Sequence, residues 1–238
     1  MQGLIDTHFH LDMYKDYKAI FEYLDKEKQY TLCVTNSPGI FLSCKNIFRR
    51  SKYVQFALGF HPLNVDLKQK NLKDFMYLLS QTDYVGEIGL DFSANNGLPR
   101  DVQIYYFDKI VEVCSKNNKL MSVHIRNAEE EALQIFNKWK PKRCIIHWYT
   151  GSVEKMQEFL KLGCYFSVNV HMLKDIEKIN IIPKNKILIE SDGPYSKICG
   201  KKYQPHNLLQ MYDLIAKTLN EPNLIEIIYL NFKEILTR

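Results

Sequence analysis

Along the chain, apolar runs of four to seven residues alternate with longer stretches whose apolar positions recur three or four apart. The runs span 4–10, 30–35, 54–60, 84–90, 120–125, 144–147, 164–168 and 186–191, and they read as strands. Between them lie amphipathic stretches at about 16–28, 39–50, 70–80, 101–117, 128–139, 152–161 and 171–179, followed by helical patterns over 205–219 and 222–235. In the fourth stretch Val102, Tyr105, Tyr106 and Val113 keep helical spacing, with Lys109 in the same row. This order implies parallel strands joined by helical crossovers. Eight such units in 238 residues fit an α/β chain folded as a (β/α)8 barrel of the TIM type better than an open sheet. With no Pro/Gly/Ser-rich linker, residues 1–238 read as one domain.

Composition adds exclusions. The net charge of +5 permits a phosphate-rich partner without demanding one. No apolar run reaches the roughly 18 residues of a membrane span, and the N-terminus lacks the basic and apolar regions of a signal peptide. Six cysteines form no C-x-x-C pair. Cys33, Cys144 and Cys164 fall in strand-like runs, which points to buried free thiols in a reducing compartment. A cytoplasmic protein with no membrane partner is expected.

Candidate chemistry collects at the C-terminal ends of the strands, where barrels of this class build their active sites. His8 and His10 close the first strand. His61 follows the third, Glu87 and Asp91 sit at the end of the fourth, His124 and His147 close the fifth and sixth, and Asp192 closes the eighth. Residues two apart on a strand share a face, so His8 projects with His10 and Glu87 with Asp91. Imidazole and carboxylate suit a borderline divalent ion such as zinc or manganese. The set exceeds what one ion needs, and two ions sharing a carboxylate would use it all, an arrangement that hydrolyses phosphate esters. Asp6 shares the face of His8 and His10 and is a candidate for orienting an imidazole. His171 and His206 match no constellation and read as surface residues.

The ordered motifs D-T-H-F-H-L, G-F-H-P, V-G-E-I-G-L-D, S-V-H-I-R-N-A, I-I-H-W-Y-T-G and I-E-S-D-G-P-Y resemble the TatD family of metal-dependent deoxyribonucleases, amidohydrolase-like TIM barrels, over nearly the whole chain. The resemblance implies one metal held by His8, His10, Glu87 and Asp192, and a second held by Glu87, His124 and His147, with Glu87 bridging. It implies that Asp192 also orients the attacking water or takes its proton, and that His61 and Arg126 meet the scissile phosphate, a role suited to a guanidinium. The cofactors implied are two divalent ions (Mg²⁺, Mn²⁺ or Zn²⁺). K-L-M-S-V-H-I-R, H-W-Y-T-G-S and L-G-C-Y-F-S-V, with E-S-D-G-P-Y, are similar to the TatD-type nuclease subunit of bacterial Qat anti-phage systems, which implies other defence subunits as partners. One departure is K-K-Y-Q-P at 201–205, where the family has a Lys-Asn-Glu-Pro-type segment; it leaves the metal residues untouched and bears on substrate choice.

The leading expectation is a phosphodiesterase acting on DNA, as an exonuclease on single-stranded ends. Lys197, Lys201 and Lys202 are candidates for the DNA backbone, and Trp148, Tyr149 and Tyr195 for stacking on unpaired bases. A hydrolase of a small molecule or an aminoacyl ester on tRNA uses the same metals, since fold does not fix substrate. A non-enzymatic subunit is the third reading; the complete set of ionisable groups argues against it.

Overall fold

A computed structural model of the chain describes residues 3–64, 66–93 and 97–238. The eight apolar runs all contain strands: β1 (Ile5–Phe9), β2 (Tyr30–Cys33), β3 (Val54–Phe56) and β4 (Leu58–Phe60), β5 (Tyr84–Asp91), β6 (Leu120–Arg126), β7 (Cys144–His147), β8 (Tyr165–Val168) and β9 (Ile187–Ile189). The third run is divided at Ala57, so that β3 pairs with β2 while β4 pairs with β5. The pairings give two parallel sheets in the orders β1-β2-β3 and β4-β5-β6-β7-β8-β9.

Hydrogen bonds join the sheets at both seams. At one, the Ala57 amide donates to the Cys33 carbonyl (2.8 Å), the Thr35 amide to Gly86 (3.0 Å), and the Glu87 amide to Thr35 (2.9 Å). At the other, the Asp192 amide donates to His8 (2.9 Å) and the His10 amide to the Gly193 carbonyl (2.9 Å). The second seam matters most for chemistry, because it ties the first histidine pair to Asp192, which is far away in sequence.

Helices α1 (Tyr17–Lys26), α2 (Pro38–Ile47), α3 (Gln69–Leu78), α4 (Arg100–Lys116), α5 (Glu129–Trp139), α6 (Val153–Lys161), α7 (Ile176–Asn180), α8 (Leu208–Leu219) and α9 (Leu224–Thr237) alternate with the strands. α4 buries Gln103, Tyr106, Phe107, Ile110, Val111 and Cys114, the three-and-four spacing of one helical face. The one polar member of that face is a clamp. Gln103 accepts the Asp91 amide (2.8 Å) and donates to the Asp91 carbonyl (3.0 Å), which fixes the end of β5. α8 and α9 anchor the outer strands: the Tyr212 hydroxyl donates to Ile5 (2.8 Å), and the Asn231 amide to Ile187 (2.8 Å).

Gly89 allows β5 and β6 to lie as close as they do. Its φ is +148°, and a Cβ there would sit 1.9 Å from the His124 carbonyl oxygen. Gly89→Ala is therefore expected to cost about 3 kcal/mol or more, a fall in Tm of about 6–12 °C for a chain of this size. A thermal melt unchanged within about 2 °C would contradict this account of the close approach.

Two segments depart from the sequence-based expectation. The stretch expected to be helical over 171–179 is a 3-10 segment, Val170–Asp175, followed by the five-residue α7. Asn169 caps its start by accepting the His171 amide (2.9 Å). The loop after β9 contains a small antiparallel hairpin, β10 (Lys197–Ile198) and β11 (Lys201–Lys202). Its two turn residues, Cys199 and Gly200, have φ of +49° and +77°, the signature of a primed hairpin turn. Five cysteines are buried and free, and Cys199 is exposed at this turn. Among the described residues no helix is long and apolar enough to cross a membrane.

Candidate metal centre and active site

The residues expected to carry chemistry converge on one cavity of about 560 Å³ at the C-terminal ends of the strands. His10, His61, Glu87, His124, His147 and Asp192 all line it, and so does Arg126. His8 lies behind them, fully buried. Sheet register explains part of the convergence, since Gly89 is paired with His124 and Asp91 with Arg126. Backbone strain explains another part. Asp192 and Trp148 each turn away just beyond a strand with φ of +50° and +36°, a left-handed conformation costing a non-glycine residue about 1–2 kcal/mol. Such strain gathers at functional sites.

Glu87 divides the cluster in two. Its Oε2 faces His8 Nε2 (3.6 Å) and His10 Nε2 (3.3 Å). Asp192 Oδ1 lies 3.7 Å and 3.4 Å from the same two nitrogens, which are 3.3 Å from each other. These separations are long for charge-assisted hydrogen bonds. They match the edge of a tetrahedron of ligands about 2.0–2.1 Å from a central ion, which is about 3.3–3.4 Å. Glu87 Oε1 faces the second group: His147 Nε2 (2.9 Å), His124 Nδ1 (3.0 Å) and His61 Nε2 (3.2 Å). These spacings are shorter, within hydrogen-bonding range.

Neighbours fix how the imidazoles face the cluster. His124 Nε2 lies 2.8 Å from Asp91 Oδ2. A carboxylate only accepts, so Nε2 carries the proton and Nδ1 of the neutral ring presents its lone pair towards Glu87. His8 Nδ1 lies 2.8 Å from the Ser122 hydroxyl. His147 Nδ1 faces the fully buried Glu190 at 3.6 Å, and Glu190 is itself held by the Ser167 hydroxyl and the Asn169 amide. His124 and His8 thus each turn one nitrogen to a polar partner and the other inward, as ligands of a borderline divalent ion do. The donor set fits two such ions.

The charges follow from this crowding. Burial opposes a proton on His10, yet the facing carboxylates of Asp192 and Glu87 override it and raise its pKa to about 10. Burial likewise disfavours charge on His124 and His147, and carboxylates outweigh it in both cases: Asp91 and Glu87 for the former, Glu87 and Glu190 for the latter. His8 goes the other way. Burial and the His147 ring stacked on it at 3.9 Å hold its pKa below the usual value. Burial alone would raise Glu87, but the surrounding imidazoles hold it well below the ordinary range.

A divalent ion must displace the proton that metal-free His10 retains. Its raised pKa gives the metal-free chain a stability contribution that is complete below about pH 6.5 and lost as pH rises through about 10. Metal affinity should therefore increase by about tenfold per pH unit for each proton displaced. Competition with a chelator of known affinity, from pH ~6 to ~8, measures it. An affinity independent of pH would contradict the proton assignment.

A family model described as TatD related DNase matches residues 5–237. The chain belongs to this family. Among relatives of this TatD-family chain is an uncharacterised metal-dependent hydrolase of Buchnera aphidicola, 29% identical and aligned over 90% of each chain. A 3'-5' ssDNA/RNA exonuclease TatD of Citrobacter koseri is 30% identical, covering 66% of this chain and 67% of its own. The fold is shared with the YJJV TatD homologue of Escherichia coli, with a TM-score of 0.82 over 96% of this chain and 95% of that one at 18% identity. The TatD-family chain is accordingly a metal-dependent hydrolase on an α/β, TIM-barrel-like scaffold.

Some sequence expectations for this TatD-family chain need correcting. Asp6 orients no imidazole: its Oδ1 accepts the Ser191 amide (2.9 Å) and the His8 amide (3.3 Å), tying the backbone across the seam, and burial raises its pKa to about 7. Tyr149 is only 2% exposed and packs against Phe159 and Phe166, off the wall of the catalytic cavity. His171 is half-buried, stacked on Trp148, whereas His206 is exposed as expected. Three contributors escaped the sequence reading: Asn36, which lines the cavity with a buried Oδ1 that has no partner among the described residues, and Gln103 and Glu190 behind the ligating positions. Asn36 had a signal, because it directly follows a strand-like run at the same level as the other polar residues.

Proposed function

We propose that this chain is a phosphodiesterase that uses two divalent ions, Mg²⁺, Mn²⁺ or Zn²⁺, to trim single-stranded DNA from an end. The observation that carries the reading is Glu87, whose two carboxylate oxygens face two separate groups of imidazoles. His8, His10, Glu87 and Asp192 would hold one ion; Glu87, His124 and His147 would hold the other, with His61, 3.2 Å from Glu87, closing that side. When bound, such ions supply Lewis acidity to phosphoryl oxygens and make water acidic enough to attack near neutral pH.

The chain's own groups do the rest. Asp192 orients the attacking water by accepting its hydrogen bond; burial opposes its charge, but His10 and His8 hold its pKa low, so it stays a carboxylate. Arg126 meets the scissile phosphate: it lines the cavity with its guanidinium over Trp148 at 5.6 Å, and its Nε has no hydrogen-bond partner among the described residues. His61 donates to the same phosphate as the substrate enters. Tyr195, 54% exposed and edge-on to His10, is placed to stack on an unpaired base at the mouth. The named activity of the Citrobacter koseri relative supports single strands as substrate and trimming from the 3' end. The motifs similar to the Qat nuclease subunit support use against phage DNA alongside partner subunits, and the free buried cysteines support a reducing, cytoplasmic setting.

The test is end-labelled single-stranded DNA incubated with purified protein and each metal, with and without chelator. Metal-dependent shortening from the 3' end is expected. No DNA cleavage in any metal or strand form, with hydrolysis of a D-aminoacyl ester instead, would replace this reading by an esterase.

A further inference from the structure

A second cavity, of about 410 Å³, adjoins the catalytic one, and Arg126 and Trp148 line both. The partition between them is a built stack. The Arg126 guanidinium lies over the Trp148 ring, and Trp148 stacks on His171 with centroids 5.3 Å apart and planes 15° from parallel. His171 is fixed at both ends. Its Nε2 accepts the Lys197 amide from the hairpin (3.0 Å), and its own amide donates to Asn169 (2.9 Å).

Beyond the stack the cavity is cationic on its rim and apolar on its floor. Arg126, Lys174 and Lys178 face a single lining carboxylate, Asp175, which pairs with Lys178 at 3.0 Å. Met172 and Ile179 form a buried apolar floor. A cationic rim over an apolar floor is the chemistry of a nucleotide: phosphate at the rim, base below. The cavity opens from the same arginine that meets the scissile phosphate.

We infer that the second cavity holds the nucleotide flanking the scissile phosphodiester, so that a single strand passes from the catalytic cavity over the Arg126–Trp148–His171 stack onto Lys174 and Lys178. This rests on the phosphodiesterase reading and assigns that site a second subsite. The stack serves as a divider that positions Arg126 between two consecutive nucleotides. Substrates offering only one nucleotide would leave the second cavity empty.

The test is binding, separate from cleavage. Metal-loaded full-length protein is titrated into a fluorescent, cleavage-resistant phosphorothioate oligodeoxythymidylate, and anisotropy is followed across a range of salt. The Lys174→Ala/Lys178→Ala variant is expected to bind about tenfold more weakly, with the salt slope shallower by about 0.7 for each phosphate that no longer meets a lysine. Lys26→Ala/Lys217→Ala removes the same charge at the C-terminal ends of α1 and α8, away from the cavity, and should bind as wild type does. Equal affinity and equal salt slope for the Lys174/Lys178 variant would overturn the second subsite while leaving the nuclease reading intact. Wild-type protein that neither binds nor cleaves DNA would instead overturn the nuclease reading, and the subsite with it.

Discussion

Glu87→Gln should reduce metal-dependent DNA cleavage by about 10³-fold or more, the largest effect expected of any single substitution. Glu87 is the one carboxylate that touches both groups of imidazoles, at 3.3 and 3.6 Å through one oxygen and 2.9 to 3.2 Å through the other. An amide keeps the shape but loses the charge, and it turns one ligating oxygen into an NH₂ donor. Loss of cleavage should therefore come with loss of metal from both positions. Folding is a separate matter. Removing one partner from a buried charged cluster costs about 3–5 kcal/mol when the other charges stay. The imidazoles here can instead release protons, so the cost shrinks as pH rises. A melt at pH ~8 should show a smaller loss of stability than one at pH ~6. Wild-type cleavage by this variant would remove Glu87 from the mechanism.

Asp192→Asn is expected to lower cleavage by about 10²–10³-fold by a narrower route. Asp192 touches only the first group, at 3.4 Å from His10 and 3.7 Å from His8. The ion held by Glu87, His124 and His147 should remain, so metal content should fall by one position. Asparagine is the appropriate replacement, because Asp192 has φ of +50° and Asn tolerates the left-handed region. Its backbone hydrogen bonds, the amide to His8 and the carbonyl to Tyr195 and Ser196, should survive. A variant that loses both ions, or none, would contradict the division of ligands drawn from the distances.

The strand pattern and the polar strand ends were legible in sequence because both obey local rules. A buried parallel strand is a short apolar run, and a barrel presents its chemistry where those runs stop. His8, His10, Glu87, His124, His147 and Asp192 therefore fell into place from position alone, although only His8 and His10 lie close together in the chain. What escaped depends on contacts between distant residues. Gln103 sits on a helical face otherwise apolar, and only its bonds to Asp91 reveal the clamp. Glu190 lies in the strand-like run 186–191 and reads as a strand residue until His147 is seen beside it. The break at Ala57 arises from the handover of pairing between sheets, which no residue in 54–60 announces. Tyr149 was misread because its neighbour Trp148 turns with positive φ and takes the place on the catalytic cavity wall.

The division of the imidazoles by Glu87 calls for two ions in one site. The most direct measurement is metal stoichiometry by isothermal titration and native mass spectrometry on wild type and Glu87→Gln. Two divalent ions per wild-type chain, with neither retained tightly by the variant, is the result predicted. A wild-type chain that binds one ion or none, or a variant that keeps both, would contradict it.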